Sequence, residues 1–160
     1  MPTIPLYTPA QHPDAWHQVT APGGYEWWYF DAEDVEHDRH IAAILFQGFV
    51  FHPGYLRAYA KYRRRPTAHM PPMPRDFPCA YFVVYEHGKI AHQFMTQYAP
   101  AQFSASTDAP NVTVGPNQLL HSLDGGLKLT LRGTPWVLTW QGPRLLESQT
   151  LSAELTFTPH

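Results

Sequence analysis

From residue 79 onward, apolar and polar residues alternate in short segments that end at turns rich in glycine, proline or asparagine. Side chains that alternate with a period of two lie on opposite faces of a strand, so this pattern predicts half-buried β-strands. Residues 127–132 and 151–158 show the clearest alternation. We expect their apolar members to be buried on one inner face: Leu129, Leu131, Leu155 and Phe157. We expect their polar members to face outward: Lys128, Thr130, Glu154 and Thr156.

The whole chain fits about nine short strands with turns every roughly 8–12 residues, which is typical of a β-sandwich or an up-and-down barrel. Hairpin follows hairpin, as at residues 79–86 and 89–98 around the turn His87–Gly88. This arrangement favours an antiparallel barrel, because closure removes free strand edges. Between residues 51 and 78 the alternation stops, and we predict a short helix over residues 55–62 and a long proline-rich loop.

Length and composition limit the class of protein. A chain of 160 residues is one domain by length, and its formal net charge of −2 gives no electrostatic reason to expect nucleic acid as a partner. Residues 1–22 contain five prolines and read as an extended lead-in held by Trp16, and residues 23–160 read as the barrel domain. The start of the chain lacks a secretory signal pattern, no apolar run of about 18 residues occurs, and Cys79 is the single cysteine. We therefore expect a cytoplasmic protein.

Residues 25–31 are the densest aromatic stretch, with five aromatic residues in six positions against 14% in the whole chain. Aromatic residues favour strands, and Gly23 and Gly24 mark a turn before this one. One face of the predicted strand carries Tyr25, Trp27, Tyr29 and Asp31, and the other carries Glu26, Trp28 and Phe30. Whichever face points inward therefore places a carboxylate among aromatic rings.

Three segments resemble, in order, the hydroxyneurosporene synthase (carotenoid 1,2-hydratase) family of lipocalin-like proteins. They are residues 26–32, residues 51–55 with the following loop and residues 76–80, and residues 111–119. The resemblance implies calycin-type β-barrels, usually two in a chain, of which this chain has the length of the first. The implied partners are a hydrophobic small molecule and a second lipocalin-like barrel, or a homodimer in its place.

The reaction that names this family adds water across a terminal alkene of an acyclic carotenoid, so the resemblance implies no cofactor. An acid protonates the less substituted carbon, aromatic faces stabilise the tertiary cation, and water captures it. The candidate acids are Glu26, Asp31 and His92. The candidate substrate-binding residues are Trp27, Trp28, Tyr29 and Tyr55.

Each candidate also has a structural interpretation. The aromatic residues can form the core, Glu26 and Asp31 can pair with arginine or cap a turn, and His92 can be a core histidine. The ten histidines follow no spacing typical of a metal site, so we predict none. The run Arg63, Arg64 and Arg65 suits either contact with phospholipid headgroups or a solvated loop end. A non-catalytic binding domain for a hydrophobic ligand is the alternative to an enzyme, and a structural interface domain is a third.

Overall fold

A computed structural model describes residues 12, 14–19, 21, 23–122, 125–139 and 141–158, so most of the predicted lead-in lies outside the described residues. The described chain is mainly β-strand, with one α-helix and three short 3-10 turns. The helix and strands in chain order are β1 Trp27–Asp34, β2 Arg39–Phe46, α1 Pro53–Arg64, β3 Cys79–Glu86, β4 Lys89–Gln97, β5 Phe103–Ala105, β6 Val112–Val114, β7 Asn117–His121, β8 Leu127–Gly133, β9 Trp136–Thr139, β10 Gly142–Leu145 and β11 Leu151–Phe157. No helix in this part of the chain is long and apolar enough to cross a membrane.

The strands form two main sheets and a separate hairpin, and every pairing is antiparallel. The first sheet has the order β1-β2-β3-β4, the second has the order β11-β8-β7-β6-β5, and β9 pairs with β10. The prediction of an all-β antiparallel protein is therefore confirmed. The described strands do not close into a barrel, because no strand of the first sheet pairs with a strand of the second. Strand β11 pairs with β8 and not with β10, which precedes it in the chain.

The two main sheets share one hydrophobic core. The first sheet contributes Trp28, Ala43, Leu45, Ala80, Phe82 and Phe94, and the second contributes Val112, Val114, Leu119, Leu129 and Leu131. Burying a side chain such as Leu or Phe stabilises the fold by about 1.5–3 kcal/mol, so this cluster is the main support of the sheet-to-sheet packing.

The burial predicted for the two clearest strands is largely confirmed. Leu129 and Leu131 are fully buried, and Leu155 and Phe157 pack partly buried against the core. Lys128 and Glu154 are exposed and form an ion pair of 3.0 Å, whereas Thr130 is half-buried.

The hairpin predicted around His87 and Gly88 is confirmed, with β3 and β4 flanking a two-residue turn. Both turn residues have positive φ, 51° for His87 and 70° for Gly88. Two central residues with positive φ are the requirement of the type I′ turn, whose twist matches that of the adjoining strands.

Other predicted boundaries differ from the structure. The strand predicted over residues 39–50 ends at Phe46, and the first strand continues to Asp34 before turning. The predicted helix begins earlier, at Pro53, because proline suits the first turn and the His52 ring accepts a hydrogen bond from the Gly54 N–H at 3.0 Å. Strand β10 was not predicted, since it starts with Gly142 and a proline; both are tolerated because it pairs only with β9.

Candidate functional site

The burial of the β1 side chains shows which aromatic face points inward. Trp28 is 7% exposed and Phe30 is half-buried against the core, while Trp27 and Tyr29 are 48% and 54% exposed. The second sheet covers the inner face, where Phe30 packs on Phe157 with ring centroids 5.4 Å apart. The carboxylate on the inner face is therefore that of Glu26.

Glu26 lies just before β1, and its side chain is 11% exposed. Its Oε1 accepts a hydrogen bond from the backbone N–H of His17 at 2.8 Å and lies 2.8 Å from His17 Nδ1. Its Oε2 is buried and has no hydrogen-bond partner in the described part of the chain. Because burying an unpaired polar atom costs about 1–3 kcal/mol, this oxygen requires a functional or structural explanation.

Gln47 is the cross-strand neighbour of Glu26. Trp27 is opposite Phe46, and one residue further the Gln47 N–H donates to the Glu26 carbonyl at 3.0 Å. Opposed residues of an antiparallel pair project to the same face, with Cβ atoms about 4.5–5.5 Å apart. The Gln47 amide is fully buried and donates from Nε2 to Val19 O at 3.0 Å, and its Oε1 has no partner among the described residues. Two buried acceptor oxygens to which no described residue donates therefore lie on neighbouring residues.

Asn117 is a second buried side-chain amide, and its hydrogen bonds can be compared with those of Gln47. Its Nδ2 donates to Val114 O at 2.9 Å and to Tyr98 Oη at 3.0 Å. Its Oδ1 accepts from the Arg132 N–H at 2.8 Å. Asn117 is as deeply buried as Gln47, yet all its hydrogen-bonding groups are used. The unpaired oxygens of Glu26 and Gln47 thus contrast with a satisfied amide in the same core.

A cavity of about 260 Å³ adjoins Glu26. Its lining consists of Asp14, Ala15, His17, Glu26, Trp27, Trp28, Tyr29, Phe30, Pro110, Leu119 and Leu127. The volume lies just below the range of about 300–1,000 Å³ that is usual for small-molecule sites, so it suits one end of a long molecule. The wall is polar and apolar in equal parts, with four aromatic residues from β1, and its buried carboxyl group is that of Glu26.

The described part of the lead-in forms one wall of this cavity. The Trp28 indole donates from Nε1 to Asp14 O at 2.9 Å, which fixes the ring plane. The Trp16 N–H donates to Ser106 O at 2.9 Å, and its ring packs edge-on against Phe103 with centroids 5.6 Å apart. The prediction that Trp16 holds this segment is therefore confirmed, and it explains how His17 reaches Glu26.

The remaining candidates lie elsewhere. Asp31 is exposed on the outer face of β1, beside a shallow groove that also contains His40 and Tyr85. His92 is exposed, so its interpretation as a core histidine is wrong, and it does not line the Glu26 cavity. Tyr55 is 2% exposed and packs beneath α1 against Phe77, with centroids 5.2 Å apart. Trp27, Trp28 and Tyr29 all line the Glu26 cavity, although the side chains of Trp27 and Tyr29 project to the outer face of β1. The other three candidates lie apart from it.

Two residues of the site, His17 and Gln47, were missed from the sequence. Gln47 carried a weak signal, as a polar residue within an apolar predicted strand. His17 carried no such signal, because it lies in the lead-in, nine residues before Glu26, and only the turn between them brings the two side chains into contact.

The described residues support neither a reactive cysteine nor a metal site. Burial raises the pKa of the Cys79 thiol to about 12, so this cysteine stays protonated. Among the described residues, no three histidine, cysteine, aspartate or glutamate side chains are grouped closely enough to hold a metal ion.

Fold and site together define an all-β protein with a buried carboxyl group beside an aromatic cavity. The chain is similar to a protein of Chlorobaculum tepidum named hydroxyneurosporene dehydrogenase, with 32% identity over 123 residues. The aligned region covers 77% of this chain but only 28% of that relative, so the chain spans less than a third of its length. No family model matches the chain. No solved structure matches it significantly.

Proposed function

We propose that the protein containing this chain acts on an apolar isoprenoid of the carotenoid type, and that Glu26 transfers the proton in a cofactor-free addition of water to a terminal alkene. The observation that carries the proposal is the buried, unpaired Oε2 of Glu26 beside an aromatic cavity. The similarity to the Chlorobaculum tepidum protein, whose name contains hydroxyneurosporene, supports a carotenoid-related family. The resemblance of three segments to carotenoid 1,2-hydratases favours hydration over other reactions.

The proposed reaction balances without an oxidant or a reductant. The carboxyl group of Glu26 gives its proton to the less substituted alkene carbon, and the π electrons form the new C–H bond. The positive charge then lies on the more substituted carbon, where a water oxygen attacks. The resulting oxonium group returns a proton to the Glu26 carboxylate, which restores the acid and leaves a tertiary alcohol.

The two carboxyl oxygens have different environments, which suits this role. Both contacts from His17 go to Oε1, so Oε2 is the oxygen that carries the transferable proton. A proton on Oε2 would also be a donor on the residue that pairs with Gln47, whose Oε1 accepts from no described residue. His17 is 44% exposed and connects the buried carboxyl group with solvent.

The aromatic wall supports the positively charged intermediate. An indole face attracts a cation within about 6 Å of its centroid, and this attraction is stronger away from water. Trp28 is buried, lines the cavity and is held in place by its hydrogen bond to Asp14 O. We assign Trp28 to this role, and Phe30 to packing against the apolar end of the substrate.

The size of the cavity indicates that other surfaces hold the rest of a long substrate. We propose that the two packed sheets correspond to a lipocalin-like barrel, and that a second such barrel or a homodimer completes the site. The exposed outer-face residues Tyr25, Trp27 and Tyr29 suit such a contact, with Tyr25 and Trp27 centroids 5.5 Å apart. We also propose a cytoplasmic location, which a single unpaired Cys79 supports.

The test compares Glu26→Gln with Glu33→Gln in the longest form of the protein that contains this chain. Glu33 lies on the outer face of the same strand, and its side chain is 59% exposed. Each purified variant is incubated with acyclic carotenoids, and the products are identified by mass spectrometry. We expect the wild type to add the mass of one water. Glu26→Gln should lower turnover by about 10²-fold or more, and Glu33→Gln should leave it unchanged.

Three other outcomes would contradict the proposal. A product lighter by two hydrogens would identify a dehydrogenation. Carotenoid binding without any product would identify the non-catalytic binding domain. Normal turnover in Glu26→Gln would remove Glu26 from the reaction and leave Asp31, His92 or a residue outside this chain as the acid.

A further inference from the structure

Helix α1 and the residue after it carry an unusual concentration of positive charge. The five cations are Arg57, Lys61, Arg63, Arg64 and Arg65, all exposed. They are five of the 11 lysines and arginines in the chain, and no acidic residue occurs between Asp38 and Asp76. Removing these five charges from the formal net charge of −2 leaves −7 on the rest of the chain. The basic surface is therefore local and lies on an otherwise acidic protein.

Contacts within the protein do not account for this charge. None of the five side chains forms an ion pair with a described residue, whereas Arg39 pairs with Glu86 at 2.9 Å and Lys128 with Glu154 at 3.0 Å. Cations in the last helical turn are favoured by the helix dipole. That effect applies to Lys61, Arg63 and Arg64 but not to Arg57, which lies in the first half of the helix.

The helix is oriented so that the basic face points away from the protein. The opposite stripe of α1 contains Tyr55, Tyr59 and Tyr62, whose rings are neighbours at 5.9 and 6.2 Å. Tyr55 also packs against Phe77. The tyrosine stripe thus fixes the helix on the protein and leaves its charged side to solvent.

Exposed apolar residues accompany the cations. Leu56 lies on the outer part of α1 and is 51% exposed, Phe51 precedes the helix and is 63% exposed, and Met70 follows it and is 87% exposed. Exposed apolar side chains next to lysine and arginine are typical of helices that lie in the interface of an anionic bilayer. A nucleic acid would neutralise the cations and could stack a base on Phe51, but would leave Leu56 and Met70 in water.

We propose that α1, together with Phe51 and Met70, docks the protein on an anionic phospholipid surface. The helix lies along the membrane plane, the five cations contact headgroup phosphates, and Phe51, Leu56 and Met70 enter the headgroup–acyl boundary. The proposal does not depend on the reaction proposed above. It suits an enzyme with an apolar substrate, because such a substrate is dissolved in the bilayer.

The test is co-sedimentation of the full chain with phosphatidylcholine vesicles that contain or lack phosphatidylglycerol. We expect binding only to the vesicles with phosphatidylglycerol, and weaker binding as salt is raised, because salt screens exposed charges. Each basic residue near an anionic surface contributes about fivefold in affinity. The triple variant R63Q/R64Q/R65Q should therefore bind about 100-fold more weakly.

The matched control is K89Q/R132Q/R144Q, which removes the same charge from exposed positions elsewhere. It should change affinity by less than about threefold. The variant F51S/M70S keeps all charges and should weaken binding by about tenfold or more through lost insertion. Circular dichroism on each variant confirms that the fold is intact.

Three results would overturn the proposal: no binding to phosphatidylglycerol vesicles, equal losses in the two triple variants, or full binding by F51S/M70S. Binding of a single-stranded RNA oligonucleotide with an affinity equal to that for the vesicles, and insensitive to F51S/M70S, would identify a nucleic-acid surface instead.

Discussion

Replacing His17 by alanine should lower both stability and activity, and the stability change follows from the contacts of Glu26. The variant keeps the backbone N–H bond to Oε1 and loses the contact of 2.8 Å between Nδ1 and Oε1. A hydrogen bond between neutral groups contributes about 0.5–1.5 kcal/mol. Because the His17 side chain is 44% exposed, water competes for this contact, and we expect a loss of about 1 kcal/mol. For a chain of this length, that corresponds to a fall in melting temperature of about 2–4 °C.

The conservative variant His17→Asn separates the stability role from a role in proton transfer. An asparagine amide nitrogen occupies nearly the position of Nδ1 and can donate to Oε1, so the melting temperature should recover. If His17 only positions Glu26, turnover should recover with it, after a loss of about 10–100-fold in His17→Ala. If His17 also passes protons to solvent, turnover should stay low, because an amide is neither protonated nor deprotonated near neutral pH and so cannot relay a proton.

The matched control for His17 is His40→Ala. His40 Nε2 lies 3.7 Å from the exposed Glu33, so removing it should change stability by less than about 0.5 kcal/mol. Thermal melting by circular dichroism and turnover are measured on the same preparations. Equal melting temperatures for His17→Ala, His40→Ala and the wild type would refute the argument that His17 holds Glu26 in place.

Three further outcomes are expected. Glu26→Gln should melt within about 4 °C of the wild type, because the amide oxygen still accepts from the His17 N–H and the His17 ring is partly solvated. A loss of several kcal/mol in a denaturant titration would indicate a structural ion pair between Glu26 and His17 instead. Gly133→Ala should cost about 1–3 kcal/mol in the same titration, because its Cβ would lie 2.5 Å from the fully buried Phe94 ring. Cys79, with its pKa raised by burial from 9.0 to about 12, should resist thiol reagents at pH 8 until the protein unfolds. Below about pH 9 the thiol is protonated in both the folded and the unfolded chain, so it should not affect stability there. As pH rises from 9 toward 12 the unfolded thiol ionises first, so the free energy of unfolding should fall.

Sequence reasoning succeeded where the controlling contacts are local. The β3–β4 hairpin was predicted almost to the residue, because alternation and the turn His87–Gly88 lie within one segment. Barrel closure was predicted and is not confirmed by the described strands, because it depends on pairings between distant strands. The alternation that predicts β11 does not show that this strand pairs with β8 rather than with β10.

In the candidate site, too, the local features were predicted and the contacts between distant segments were not. The stretch that carries Glu26 was identified, but each face of that strand holds one carboxylate, so its sequence left Glu26 and Asp31 open. The second sheet packs on Trp28 and Phe30, which places Glu26 on the inner face and leaves Asp31 exposed on the outer face. The roles of His17 and Gln47 depend on where two other segments meet Glu26, and alternation within one strand contains no information about that meeting.

The geometry of β1 also bears on the partner surface that we propose for the reaction. Alternation that places Glu26 and Trp28 inside also places Trp27 and Tyr29 outside, where they are about half exposed. If the substrate is a polyene, as we propose, the inner cavity of about 260 Å³ has room only for its end, and the remainder would extend past the cavity mouth. The aligned relative has most of its length outside the matched region. We therefore expect this chain alone to bind a short isoprenoid end-group analogue but to turn over a full-length carotenoid only with its partner surface present. Equal turnover by the isolated chain and by the longest form of the protein would contradict this expectation.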